Sequence, residues 1–393
     1  MRLFGTVVRG IRAPIIKEGN DLAEIVATAV TQAAIKEGIQ LQDRDVVGVT
    51  ESTLARSQGN YATVMQLATD VRRKFPNGTI GITMPILSRN RFSQILRGIS
   101  AGVDKLYILL AYPSDEVGNP LISWEQLDEK GINPYTDVLN ESEFTDLFGN
   151  AVHPFTGVDY ISYYKELAQN KSTILFGNDP RSILKYTEHV IAADIHTRHR
   201  SKKMLREAGA KTVFGLDDIL REPIDGSGFH PDYGVLGSNL ATDDSIKLFP
   251  RDAQAFAEDV AARLLALSGK NIEVLVYGDG AFKDPVGGIW ELADPVVSPG
   301  YTKGLEGTPN EVKIKYLADT AVGSAEGEDA SELIRELIRS KEDNLVGNMS
   351  SQGTTPRRLT DLLGSLCDLT SGSGDKGTPI ILIQGYFDTY ADE

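Results

Sequence analysis

NIEVLVYGDG, residues 271–280, is the stretch from which the fold class of this chain can be read. Its β-branched and aromatic residues spell a buried strand, and the strand runs straight into Gly278-Asp279-Gly280. A carboxylate at the carboxyl end of a buried strand is a common arrangement for metal-binding or catalytic Asp in α/β proteins. The flanking glycines let a phosphate or a metal approach the backbone. The plainer alternative is a turn in which Asp makes local hydrogen bonds.

Working outward, the pattern of an α/β chain continues. Asp252–Leu267 has helical periodicity, as do Ala330–Arg339 and Pro356–Leu369. A glycine-rich loop, TSGSGDKG (370–377), then leads into a final strand, PIILIQ (379–384). At the other end of the chain, Leu3–Val8 reads as a strand, Gly10–Gly19 as a loop broken by Pro14, and Asp21–Glu37 as an amphipathic helix. DVVGVT (45–50) is a second buried strand, followed by a polar turn over Glu51–Asn60. The middle of the chain alternates. Strands are expected at 79–83, 105–110, 173–176, 189–192 and 211–214, with helical stretches near 91–100, 183–185 and 201–208. A polar, aromatic-dotted stretch covers 111–164. Such alternation predicts a parallel or mixed sheet covered by helices.

The 393 residues allow two or three domains at roughly 150 residues each. With 40 basic and 55 acidic residues the formal charge is −15. That argues against general nucleic-acid binding, which works by neutralising phosphates with basic surface. A phosphorylated small molecule remains compatible, because carboxylates can hold it through divalent metals. No apolar run reaches the roughly 18 residues of a membrane span, and the first residues lack a signal-peptide apolar core, so the expected location is the cytoplasm. One cysteine, Cys367, excludes an internal disulfide and a thiolate zinc site.

Other segments that could carry chemistry are few. NLATDDS (239–245) puts two adjacent acids after a small-residue strand, Gly234–Ser238; a solvated turn is its plain reading. Paired with Asp279, it supplies a second carboxylate for a divalent ion. Gly372-Ser-Gly-Asp-Lys-Gly377 could cradle phosphate with its backbone N–H groups, although it is not a Walker loop, and a flexible linker is the alternative. The Pro14–Gly19 loop with Arg12 and Lys17, and the Arg56–Asn60 turn, set basic residues beside glycine. His196 and His199 have no evident third ligand and read as a solvated basic face. The middle segment has no G-x-G-x-x-G after a strand, which weighs against a nicotinamide dehydrogenase.

In this order, the pieces resemble the CofE-like family, the γ-glutamyl ligases of the deazaflavin coenzyme F420. The resemblance rests on GIRAPIIKEGNDL (10–22), DRDVVGVTESTLARSQGN (43–60), YGVLGSNLATD (233–243), LFPRDAQAFAEDVAARLL (248–265), VLVYGDGAFK (274–283) and LTDLLGSLCDLTSGSGDKGTPIILIQG (359–385). It implies a mixed α/β ligase fold with a discontinuous nucleotide- and metal-binding domain, 1–60 and 230–393. Residues 61–229 would then form an inserted α/β subdomain that shapes the acceptor pocket.

Residue by residue, the resemblance implies Asp243 and Asp279 as metal ligands for Mg2+ or Mn2+. It places Ala13, Pro14, Ile15 and Ile16 along the nucleotide. Arg56 stands where the family has a nucleotide-contacting lysine, and Gly372, Ser373, Gly374, Asp375, Lys376 and Gly377 would cradle phosphate or base. Lys283 replaces an arginine and becomes the candidate catalytic cation. The chain departs from the family at Gly280, Ser373 and Ile246. The implied reaction is GTP- or ATP-driven formation of an amide between L-glutamate and an acceptor carboxylate through an acyl phosphate, in a homodimer. A folate or other acceptor, or a non-catalytic nucleotide-binding module, are the alternatives.

Overall fold

In the computed structural model, residues 4–86, 92–115, 118, 120–153, 157–194, 197–279, 296–323, 327–351, 357–371 and 375–392 are described. The chain opens with β1 (Val7–Ile11), α1 (Leu22–Glu37), β2 (Val46–Thr50) and α2 (Glu51–Ser57). It continues through β3 (Tyr61–Thr63), α3 (Val64–Lys74), β4 (Thr79–Ile86), α4 (Ser93–Ala101) and β5 (Lys105–Asp115). Next come α5 (Trp124–Lys130), β6 (Leu139–Asn140), α6 (Glu141–Phe148), α7 (Tyr160–Leu167) and β7 (Ser172–Phe176). These lead to β8 (His189–Ala192), α8 (Arg198–Glu207), β9 (Thr212–Gly215), β10 (Asn239–Thr242) and β11 (Ser245–Lys247). The last stretch holds α9 (Ala253–Ser268), β12 (Glu273–Asp279), β13 (Val296–Tyr301), α10 (Ile314–Thr320), α11 (Gly327–Arg339), α12 (Leu359–Ser371) and β14 (Ile380–Gln384). The expected α/β class holds. No helix among the described residues is long and apolar enough to cross a membrane.

Two compact units divide the chain, with Gln58–Arg251 as the second and the flanking segments together as the first. The segment 233–243 therefore belongs to the second unit.

The first unit is built on a five-stranded sheet, ordered β1-β14-β2-β12-β13. Only β2 and β12 run parallel; β1, β14 and β13 pair antiparallel to their neighbours. Strand alternation sends Val47, Val49, Val274, Val276 and Leu382 to one face, where Val26 and Val30 of α1 and Val260 and Leu264 of α9 cover them. Val46, Leu275, Tyr277, Ile381 and Ile383 face the other way, against Leu363 and Cys367 of α12. Each such side chain taken from water contributes roughly 1.5–3 kcal/mol. Helix α12 comes so close that a Cβ on Gly48 would lie 2.3 Å from Cys367 Sγ.

The second unit carries a six-stranded sheet, ordered β6-β7-β5-β4-β8-β9, in which all pairs but β6–β7 are parallel. Among its parallel strands the first in sequence, β4, is central; the chain winds outward through β5 and β7, then reverses through β8 and β9. This is the doubly wound arrangement, with its switch point between β4 and β8. Strands β10, β11 and β3 form a separate small sheet in the same unit.

Four expectations change. The first strand begins at Val7 rather than Leu3. Glu51–Ser57 is helical, not a turn, because Leu54 and Ala55 bury one side of it. Gly234–Ser238 is a turn instead of a strand, with Gly234 and Gly237 at φ of +53° and +72°. The acids at 243–244 consequently sit in the β10–β11 hairpin turn. The polar stretch 111–164 contains three helices, α5, α6 and α7, whose starts are marked by the caps Ser123, Asn140 and Asp159.

Candidate active site

Strand register in the first unit brings four loops to one end of its sheet. Ile11 pairs with Ile380, Ile380 with Val49, and Tyr277 with Thr50. The exits of β1, β2 and β12 and the entry of β14 therefore lie side by side. Beyond them come the loop from Arg12, the start of α2, the Gly278-Asp279 end of β12, and the turn Asp375–Gly377. Hydrogen bonds tie these loops together. Ala13 N donates to Gly377 O at 3.2 Å, Thr50 N to Pro379 O at 3.1 Å, and Gly19 N to Ser57 O at 2.9 Å. Gly10 allows a close approach: a Cβ there would meet Thr378 Cβ at 2.9 Å.

Within that end of the sheet, Ala13, Pro14 and Ile15 lie on the surface loop, with the Ile15 side chain 79% exposed. Ile16 differs, since its side chain is buried in the core with Leu22 and Val26, and it anchors the loop. Arg56 is exposed in the last turn of α2. Asp375 and Lys376 are exposed in the turn before β14. A cavity of about 1110 Å³ runs along β1 and α1 and reaches this end; Arg9, Arg12, Pro14, Lys376 and Thr378 are among its lining. The backbone of Asp279 ends β12, paired with Val296. Lys283, Gly280 and Gly372–Gly374 lie outside the described residues. Asp243, in the β10–β11 turn of the second unit, is exposed, and its carbonyl accepts from Arg97 Nη1 at 3.5 Å.

Sequence reasoning passed over Glu51. It starts α2 directly at the carboxyl end of β2, and its side chain is buried to 3% exposure. Gly278 makes that possible: a Cβ on residue 278 would lie 1.9 Å from Glu51 Cγ. A carboxylate is thus held over the end of β12, in a cradle that any side chain at 278 would fill. The signal in the sequence is an acid immediately after a buried parallel strand, facing a glycine at the end of the next strand. Burial pushes the neighbouring Tyr277 phenol and Cys367 thiol up in pKa, so neither supplies an anionic nucleophile near neutrality. Among the described residues no group of three or more His, Cys, Asp or Glu side chains forms a ready metal cluster.

The family model for F420-0:gamma-glutamyl ligase matches residues 10–385, nearly the whole chain. This chain belongs to that family. Membership makes it a ligase of the γ-glutamyl type found in coenzyme F420 biosynthesis, working on small-molecule substrates and glutamate. No curated protein matches it at a significant level. The segments that carried the resemblance bracket both units, and the match runs through the second unit as well.

Proposed function

We propose that this family member is a nucleoside-triphosphate-dependent γ-glutamyl ligase whose active site is the loop-bearing end of the first unit's sheet. The observation that supports the reading most is the register that sets the Arg12–Ile16 loop, Glu51, the end of β12 and the Asp375–Gly377 turn in one row. A carboxylate at neutral pH is a poor electrophile. Phosphoryl transfer from GTP or ATP converts the acceptor to an acyl phosphate. The glutamate amine then forms the C–N bond, and phosphate leaves with the C–O bonding pair. The protein's part is to bring three anionic groups together and offset their charge.

In this reading Ala13–Ile16 lies along the nucleotide, and Gly372–Gly377 receives its phosphates. Arg56, Lys17, Lys376 and Lys283 are the counter-charges, with Lys283 as the candidate catalytic cation. The donor set fits Mg2+ or Mn2+, hard cations that take carboxylate oxygens. Asp279 would be a ligand of the ion, with Glu51 as the further carboxylate at the strand ends of the first unit; Asp243, on the β10–β11 turn of the second unit, is proposed as a ligand on the family resemblance alone. When bound, the cation supplies charge neutralisation at the terminal phosphates. Ile246, where the family has an Asn, is buried in the second unit's core and offers no ligand. The second unit is assigned to binding the acceptor, and the active form is a homodimer.

The test is nucleotide consumption that needs glutamate and a carboxylate acceptor, measured with and without EDTA. Asp279→Asn should lower turnover at least about 100-fold, as expected for loss of a charge-stabilising group. Wild-type turnover in that variant, with folding intact, removes Asp279 from the site. Nucleotide binding without phosphate release across a broad acceptor panel supports the non-catalytic module instead.

A further inference from the structure

A cavity of about 430 Å³ opens at the other end of the first unit's sheet, away from the loops of the candidate active site. Its lining lies wholly within that unit. Strands β2 and β14, paired side by side, connect the two ends. β2 begins just after Arg44 and leads to Glu51, whereas β14 follows the Asp375–Gly377 turn and leads to Tyr386 and Phe387. Small-molecule sites are commonly cavities of this size, with apolar and aromatic walls and a few placed polar groups.

The walls here are of that kind. Tyr386 and Phe387 are half-buried, with ring centroids 5.3 Å apart at 84°. Tyr390 adds a third ring, and the buried Ile338 of α11 and Leu359 of α12 add aliphatic surface.

The cations on the lining have donors to spare. Arg44 stacks its guanidinium over Phe387, 4.0 Å from the ring centroid, and makes no side-chain hydrogen bond or ion pair among the described residues. A guanidinium stacked by its face keeps its in-plane N–H groups for gripping an anion as a fork. Lys341 is half-buried, and its ammonium donates only to Asn310 O, at 2.7 Å, so its remaining donors are unused. The Tyr386 hydroxyl has no hydrogen-bond partner among the described residues. Burial, with the Glu311 charge added, raises this phenol, so it stays a neutral donor. The two acids on the lining, Glu311 and Asp388, are both exposed, where solvent and salt screen them.

The backbone holds Arg44 in place at some cost. Its φ is +65°, a left-handed conformation unfavourable for a residue with a side chain, and its N–H donates to Asn271 O at 2.8 Å. Strain of this kind gathers at ligand sites.

We infer that this cavity is a binding site for a planar aromatic compound carrying one anionic group, a carboxylate or a phosphate. The ring packs against the aromatic wall, and Arg44 and Lys341 hold the anion, with the Tyr386 hydroxyl as a further donor. The site goes beyond the ligase reading and does not depend on it, since no lining residue belongs to the loops at the other end of the sheet.

Calorimetry on the full chain tests it with phenylacetate, indole-3-acetate and phenyl phosphate, against phenylacetamide, indole-3-acetamide and tryptamine. The expected result is saturable binding of at least one anion, with its neutral or cationic counterpart about tenfold weaker or absent. The tighter of phenylacetate and phenyl phosphate identifies the head group. Arg44→Gly and Lys341→Gln should each weaken the binding about tenfold or more, the scale of a lost charge-assisted hydrogen bond. Glycine adopts a φ of +65° freely, so Arg44→Gly leaves the turn intact, and it decides alone should Lys341→Gln fold poorly. Absence of binding by all three anions, equal binding of the amides or of tryptamine, or unchanged affinity in either folded variant overturns the inference.

Discussion

Gly278→Ala is the most direct probe of the carboxylate held over β12. The added Cβ would sit 1.9 Å from Glu51 Cγ and 3.0 Å from both Cβ and Cδ of Glu51, far inside contact distance. Glu51 is buried, so its side chain has no free volume into which to retreat. Overpacking of this kind costs about 1–3 kcal/mol. In a Glu51→Ala background the closest atom is gone and only the Cβ at 3.0 Å remains. The cost of Gly278→Ala should then fall below about 1 kcal/mol, giving a coupling energy of about 1–2 kcal/mol in a double-mutant cycle. Urea denaturation of the four proteins measures it. Turnover should fall in all three variants, because each displaces or removes the Glu51 carboxylate. Equal cost of Gly278→Ala in both backgrounds would refute the steric argument. Full activity of Glu51→Ala would take that carboxylate out of the site.

Other consequences are independent of the ligase chemistry. Lys202 donates to Asp217 and Asp218 from a side chain only 8% exposed, so Lys202→Met should destabilise the second unit by about 3 kcal/mol, as breaking a buried ion pair does; a change under 1 kcal/mol by urea titration contradicts this. Burial alone would raise the Asp217 carboxyl, but Lys202 and Arg198 outweigh it and hold the group below its ordinary 3.8. The folded state therefore binds fewer protons than the unfolded chain just below pH 4. The stabilisation is complete above that range and is lost as pH falls through the lowered value, so an Asp217→Asn protein should show a shallower acid loss than wild type below pH 4. Thr63 and Gln66 form a reciprocal capping box at the start of α3, and Thr63→Ala should cost about 1 kcal/mol; unchanged stability would mean that water serves the exposed N–H groups equally well.

Local pattern made much of this protein legible before its coordinates. The runs Val46–Thr50, Glu273–Tyr277 and Ile380–Gln384 are β-rich over consecutive residues, and α1 and α9 keep helical spacing for sixteen residues each. Asp279 at a strand end and the ordered motifs that carried the family resemblance are likewise properties of contiguous chain. These features depend on backbone preference and on the side-chain period of strand or helix, which neighbours in sequence decide.

Tertiary structure decided what depends on partners distant along the chain. Gly278 reads as a turn residue until Glu51, more than two hundred positions earlier, is seen to occupy its missing side chain. Arg44 and Phe387 are unremarkable in sequence, and only the pairing of β2 with β14 brings the guanidinium over the ring. The break between units falls after Ser57 and after Arg251 because β3 pairs with β11, and Asn60 reaches Phe249, a pairing that no local propensity encodes. Strand order and close approach are settled by which distant apolar faces can be buried together, and that choice exists only when the whole chain has folded.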